Sequence, residues 1–79
     1  MTVTAKVRED GVSLKALTRD ELHQLCKEQG LTNIKCDIVY YRIIEELSHK
    51  EIYDKLGYSR AGYSEIKNKI KQNPIFGEI

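Results

Sequence analysis

The sequence predicts a mainly helical single domain over residues 1–79, with a β-hairpin at its N-terminus and a helix-turn-helix in its C-terminal half. Three observations predict this class: apolar residues at helical spacing follow capping residues, an Asp-Gly pair interrupts an alternating N-terminal stretch, and a glycine separates two short helical segments. The predicted parts are a hairpin or arm at 1–16, two supporting helices at 18–47, the helix-turn-helix at 48–73 and a tail at 74–79.

Length and charge limit what the chain can do. At 79 residues it has a modest core, which a partner chain, a metal or a disulfide would help to stabilise. The net charge of +1 gives no global argument for nucleic-acid binding. However, residues 55–72 carry five basic side chains against Glu65 alone, a local charge of +4, whereas residues 1–47 carry a local charge of −1. Positive charge is therefore concentrated in the C-terminal third.

The sequence also favours one compartment. It has no apolar run long enough to span a bilayer, and its alternating, charged N-terminus differs from a signal peptide. We therefore expect a cytoplasmic protein in which Cys26 and Cys36 are free thiols.

Alternating apolar residues predict the N-terminal β-hairpin. Val3, Ala5 and Val7 would share one face of a strand, and the alternation resumes after Asp10-Gly11, a pair suited to a tight turn. Two strands alone are marginally stable in water, so the hairpin has to pack on the helices or pair with another chain. A disordered arm is the alternative interpretation.

Two supporting helices follow the hairpin. Thr18 and Glu21 have the spacing of a capping box, and Gly30 can end this helix in a left-handed conformation. The most apolar stretch of the chain, residues 33–47, is predicted as a central, mostly buried helix. A strand is its competitor, because isoleucine, valine and tyrosine are abundant there.

A second capping box begins the helix-turn-helix. Ser48 and Glu51 repeat the spacing of the first box, Gly57 stops a helix of about two turns, and Ser59 caps the next helix, which Pro74 prevents from continuing. A corner of this kind requires two short helices around a small core. The expected core residues of the corner are Ile52, Leu56, Tyr58, Tyr63 and Ile66.

The tail beyond Pro74 is too apolar to be free in solvent. Ile75, Phe76 and Ile79 are expected to fold back onto the core or to meet a partner.

One stretch resembles a known family. LSHKEIYDKLGYS, preceded by YYRIIEE, resembles the helix-turn-helix of sigma factor region 4, of LuxR-type regulators and of related phage transcription regulators. The resemblance covers about residues 40–70, less than half of the chain. It implies a supporting helix at about 49–56 and a recognition helix at about 60–72 that enters the major groove of DNA.

The resemblance implies a set of DNA-contacting residues on the second helix. Arg60 can donate a bidentate pair to guanine, Asn68 can bind adenine, and Glu65 can accept from cytosine N4. Lys67 and Lys71 share one side of a helix and would lie near phosphates. The expected DNA-contacting residues are Arg60, Ala61, Ser64, Glu65, Lys67, Asn68 and Lys71.

The expected function is therefore sequence-specific binding of double-stranded DNA in transcription control, in a phage or mobile element. Two or three phosphate contacts per chain would be weak, so we expect a homodimer or a co-regulator bound to a polymerase. The alternative is a small adaptor or inhibitor that uses the same corner to bind a host protein such as RNA polymerase. The five tyrosines of the chain suit such an interface, and they equally suit core filling.

Catalysis, metals and cofactors are not expected. The sequence has no glycine-rich phosphate loop and no nucleophile with a placed base. His23 and Cys26 are three residues apart on one helix, a workable pair of zinc ligands, but Cys36 and His49 lack a matching spacing. Cys26 lies in an apolar stripe and is expected to be buried, whereas His49 is expected to be exposed to solvent.

Overall fold

Every α-helix of the described chain begins after a threonine or serine whose side chain accepts a hydrogen bond from the first turn. The structure is a computed structural model that describes residues 2–79; Met1 lies outside the described residues. The α-helices are α1 (Val3–Arg8), α2 (Arg19–Glu28), α3 (Asn33–Ile43), α4 (His49–Leu56) and α5 (Arg60–Lys71), and two 3-10 turns lie at Leu14–Ala16 and Pro74–Phe76.

The β-hairpin predicted over residues 1–16 is wrong. Thr2 caps α1 by accepting from the backbone N–H of Ala5 at 3.1 Å, and no strand occurs anywhere in residues 2–79. Val3 and Val7 lie four residues apart, so the same side chains that would share a strand face also share a helix face. Gly11 does take the predicted positive φ, at 68°, but it does so in a loop.

Glu28, at the end of α2, holds the N-terminus of α1. Its carboxylate accepts from the backbone N–H groups of Val3 at 3.4 Å and Thr4 at 2.9 Å, and from the Thr4 hydroxyl at 2.7 Å. The hydrogen bonds from Thr4 are the main reason that the pKa of Glu28 is lowered to about 2. A contact across 25 residues therefore decides the structure of the N-terminal segment.

A second link between α1 and α2 joins Lys6 to Glu21. The Lys6 ammonium lies 2.5 Å from the Glu21 carboxylate, which also completes the capping box with Thr18. The Lys6 bond, followed by the Thr18 backbone N–H, lowers the pKa of Glu21 to about 2. The predicted capping box is thus confirmed, and its carboxylate also binds α1.

The predicted end of α2 is confirmed as well. Gly30 has φ 75°, and the backbone N–H of Leu31 donates to the carbonyl of Cys26 at 3.0 Å. This is the bond that closes a helix through a left-handed glycine.

The central helix α3 is shorter than expected. It ends at Ile43 rather than near Leu47, and Glu46 in the following loop has φ 55°, which is uncommon for a residue with a side chain. Ile38 is fully buried as predicted, but Ile34 is 36 % exposed. The helix contacts α2, α4 and α5, so it is the centre of the domain.

The core draws side chains from every α-helix and from the tail. Phe76 is completely buried and Ile79 is nearly so, which confirms that the tail folds back onto the core. Cys26 and Cys36 are buried free thiols, and burial raises the pKa of Cys26. The largest fully buried side chains are Leu22, Leu25, Cys26, Ile38, Val39, Ile52, Tyr63, Ile70 and Phe76.

Among residues 2–79, every helix is too short or too polar to cross a lipid bilayer.

Candidate nucleic-acid interface

Helices α4 and α5 are joined by a three-residue turn. Ser48 and Glu51 form the predicted capping box at the start of α4, with both hydrogen bonds at 3.2 Å. Gly57 ends the helix at φ 78°, and the N–H of Tyr58 donates to the carbonyl of Tyr53 at 2.9 Å. Ser59 then caps α5. The chain therefore turns at Gly57 as predicted, and the two helices are not one continuous rod.

The residues predicted to fill this corner pack against the core. Ile52 and Tyr63 are buried, whereas Leu56, Tyr58 and Ile66 are half-buried. A further contact comes from Tyr53, whose ring centroid lies 5.6 Å from that of Tyr63. The offset, tilted arrangement of these two rings is a favourable one for aromatic pairs.

A hydrogen bond between side chains ties α4 to α5. Nδ1 of His49 and Oη of Tyr63 lie 2.7 Å apart. His49 is half-buried, so the expectation of a solvent-exposed histidine is wrong. The two residues are 14 apart in sequence, and no local pattern marks them as partners.

Burial and neighbouring charges set the protonation of this pair. Burial is the largest reason that the pKa of His49 is lowered, and the positive charges of Arg42, Lys67 and Lys71 lower it further. Burial likewise raises the pKa of Tyr63. Both side chains are therefore neutral near pH 7, and positive charge from α3 and α5 surrounds the histidine.

The seven predicted DNA-contacting residues lie on the side of α5 that is not in the core. None of their side chains makes a hydrogen bond or ion pair with another residue in 2–79. Their polar groups are thus available to a partner. Five are exposed (Arg60, Ala61, Glu65, Asn68 and Lys71) and two are half-buried (Ser64 and Lys67).

Helical spacing divides these residues into two adjacent stripes. The first, which we call the basic stripe, has members at positions 60, 64, 67 and 71; the second, the outer stripe, has members at 61, 65 and 68. The buried residues Tyr63 and Ile70 occupy the side next to the basic stripe, which explains why Lys67 is half-buried. Lys69 points away from the basic stripe.

In the described part of the chain, no three His, Cys, Asp or Glu side chains come together as a metal-binding group. His23 is exposed and Cys26 is buried, so the pair considered for zinc does not share one surface.

Comparisons of the chain with protein-family models, with curated proteins and with solved structures found no match. The resemblance of residues 40–70 to helix-turn-helix regulators therefore stays a prediction.

Proposed function

We propose that the protein is a sequence-specific DNA-binding regulator of transcription, of phage or mobile-element origin, that inserts α5 into the major groove. The observation that carries the proposal is the side of α5 that is not in the core. It has six polar side chains without a hydrogen-bond or ion-pair partner among residues 2–79, together with Ala61, and the opposite side of the helix is anchored in the core. Protein helices that read the major groove need this combination of a fixed axis and a free polar face.

The two stripes suit the two kinds of contact that a recognition helix makes. The basic stripe offers Arg60, Lys67 and Lys71 to phosphates and guanines, whereas the outer stripe offers Glu65 and Asn68 to base edges. Ala61 is small enough to approach a thymine methyl group. Bases would thus be contacted by the outer stripe and by Arg60, while Lys67 and Lys71 follow one strand of the duplex.

We further propose that the regulator binds as a homodimer in the cytoplasm. One chain supplies only a few phosphate contacts, and specific complexes usually require more surface or a second half-site. Two copies of α5 would then lie about 34 Å apart, one turn of DNA.

The test is a binding titration at several salt concentrations, on a DNA site selected from a random-sequence pool. Phosphate contacts require the association constant to fall steeply as salt rises. Lys71→Gln should weaken binding to all sequences alike. It should also reduce, by about one, the slope of the logarithm of the association constant against the logarithm of the salt concentration. Lys27→Gln removes the same charge from an exposed position on α2 and is the matched control.

Specificity is tested separately with Arg60→Ala. This variant should lose about 1–3 kcal/mol of preference for the selected site over a site altered at one guanine. The proposal fails if the wild-type chain has no affinity for DNA at low salt, or if the Lys27 and Lys71 variants behave alike. Light scattering on the complex measures the number of chains per site.

An adaptor or inhibitor that binds RNA polymerase or another host protein is the competing function. It predicts that Arg60→Ala and Lys71→Gln leave DNA affinity unchanged and weaken capture of a protein partner. The tyrosines do not favour it, because Tyr63 is buried and the other four are half-buried.

A further inference from the structure

A groove of about 680 Å³ opens on the surface of the domain. It lies between α1, the turn at Leu14–Ala16, the end of α3 and the tail. Its volume falls in the range of pockets that bind small molecules. None of the seven predicted DNA-contacting residues lines it.

The wall of the groove is largely apolar. Val7 comes from α1 and Ile43 from α3, and the tail contributes the remaining large surfaces. Val7, Leu14, Ile43 and Ile75 pack on the core with part of their surface still accessible, so an apolar ligand could bury that surface, whereas Phe76 and Ile79 are already buried. The apolar lining residues are Val7, Leu14, Ile43, Ile75, Phe76 and Ile79.

Three cationic side chains line the same groove, and two of them have no acidic partner. Lys15 lies 3.6 Å from Glu46, whereas neither Arg8 nor Arg42 makes an ion pair within residues 2–79. The only other acid in the lining is Glu78. The groove therefore has positive charge that its own carboxylates leave unpaired.

Arg42 is also short of hydrogen-bond acceptors. Its Nη1 donates to the carbonyl of Leu47 at 3.2 Å, but its Nε is buried and has no partner among the described residues. A guanidinium has five N–H donors, and a carboxylate matches two of them at once. The Nε is shielded from solvent and therefore from a ligand as well, but Nη2 makes no hydrogen bond among the described residues and is not buried. The Nη groups of Arg42, at the edge of an apolar groove, are therefore suited to a ligand that combines a carboxylate with an apolar body.

We propose that this groove binds a small amphipathic carboxylic acid. The carboxylate is held by Arg42 with support from Arg8, and the apolar body lies against the accessible parts of Val7, Ile43 and Ile75. The inference does not depend on DNA binding, because its ligand contacts are made by residues outside the predicted DNA-contacting set.

Octanoate, 1-octanol and octylamine test the proposal, because they share one apolar body and carry an anionic, a neutral and a cationic head group. Each is titrated into the 15N-labelled wild-type chain and followed by two-dimensional NMR. We expect saturable shifts at the groove residues, with octanoate binding about tenfold tighter than octanol and octylamine weakest. The proposal is overturned if octanoate gives no saturable shifts, if the shifts lie elsewhere, or if octanol binds as tightly as octanoate.

Two arginine variants test the head-group contact. Arg42→Gln and Arg8→Gln should each weaken octanoate binding, Arg42→Gln by about tenfold, and leave octanol binding unchanged. Arg19→Gln removes an exposed arginine outside the groove and should leave octanoate affinity at the wild-type value. Equal octanoate affinity in all four proteins overturns the proposal. If loss of the bond to Leu47 unfolds the Arg42 variant, Arg8→Gln and the head-group series on the wild-type chain decide the question.

Discussion

Nδ1 of His49 and Oη of Tyr63 lie 2.7 Å apart and connect the start of α4 to the first turns of α5. The bond acts beside the apolar contacts of Ile52 and so fixes how the two helices meet. A helix that presents side chains to a groove of DNA depends on such fixed geometry.

Removing the Tyr63 hydroxyl should loosen this corner. Tyr63→Phe keeps the ring in the core but leaves the His49 nitrogen without its partner, so the free energy of unfolding should fall by about 1 kcal/mol in urea titrations. Tyr53→Phe is the control, because the Tyr53 hydroxyl makes no hydrogen bond with a described residue. Equal effects of the two substitutions would contradict a role for the bond.

His49 should make stability fall on mild acidification. Its pKa is lower in the folded chain than its ordinary value of 6.5, so the unfolded chain binds the proton more readily. The contribution of His49 to the free energy of unfolding is therefore complete above pH 6.5. It decreases as the pH falls from 6.5 to the folded pKa and does not change further below that pKa. Urea titrations between pH 8 and pH 5 should show the decline, and His49→Gln should flatten it. His23→Gln, at an exposed position, should retain the wild-type profile.

The N-cap side chains should each contribute measurably to stability. Ser48→Ala removes one half of the capping box of α4 and should lower the free energy of unfolding by about 1 kcal/mol. Ser13→Ala is a matched control, because Ser13 precedes a 3-10 turn without any capping hydrogen bond from its side chain. Thermal unfolding of both variants measures the difference, and a Ser13 variant as destabilised as the Ser48 variant would refute the capping explanation.

Strong acid should release α1 from α2. The pKa of Glu28 is lowered to about 2, so its contribution to stability is present above its ordinary value of 4.5 and is lost as the pH falls toward 2. The hydrogen-exchange protection factors of the α1 amides, which are corrected for the pH dependence of intrinsic exchange, should fall over that range, and Glu28→Gln should lower them already at neutral pH. Glu9→Gln is the control, since the Glu9 side chain is exposed and unbonded in residues 2–79. Unchanged α1 protection in Glu28→Gln would show that the carboxylate does not hold the helix.

Glycine at position 46 should stabilise the chain. Glu46 has φ 55°, a conformation that costs a residue with a side chain about 1–2 kcal/mol and that glycine adopts freely. Glycine also increases the conformational entropy of the unfolded chain, and this offsets part of the gain. Glu46→Gly should therefore raise the free energy of unfolding by about 0.5–1 kcal/mol. Glu45→Gly, one residue earlier and without a positive φ, should lower it. Thermal unfolding of both variants measures the two effects. A change of stability in the same direction in both variants would contradict the explanation.

Local patterns were sufficient to predict the helix boundaries that depend on residues close in sequence. The boxes at Thr18 and Ser48 join residues three apart, and Gly30 and Gly57 end helices through bonds within a single turn. Such features are visible in any short window of sequence.

The N-terminal segment was predicted wrongly because its structure is decided elsewhere in the chain. The spacing of Val3 and Val7 fits a strand and a helix equally. Glu28 selects the helix by binding its first N–H groups, and no pattern within residues 1–16 contains that carboxylate.

The candidate site was predicted in one respect and missed in two. The outer positions of α5 follow from helical spacing, and they lie on the accessible side. Two features depend on how separate elements pack: the contact between His49 and Tyr63, and the groove beside Arg42. The spacing of residues along the sequence does not indicate either of them.

On α5, the side chains that hold the fold and those that face outward are separate sets. Tyr63 and Ile70 anchor the helix, while Ala61, Glu65 and Asn68 touch nothing that the core requires. Under the proposed function, substitutions at the outer three positions would change which DNA sequence is bound, while the packed side of the helix stays the same.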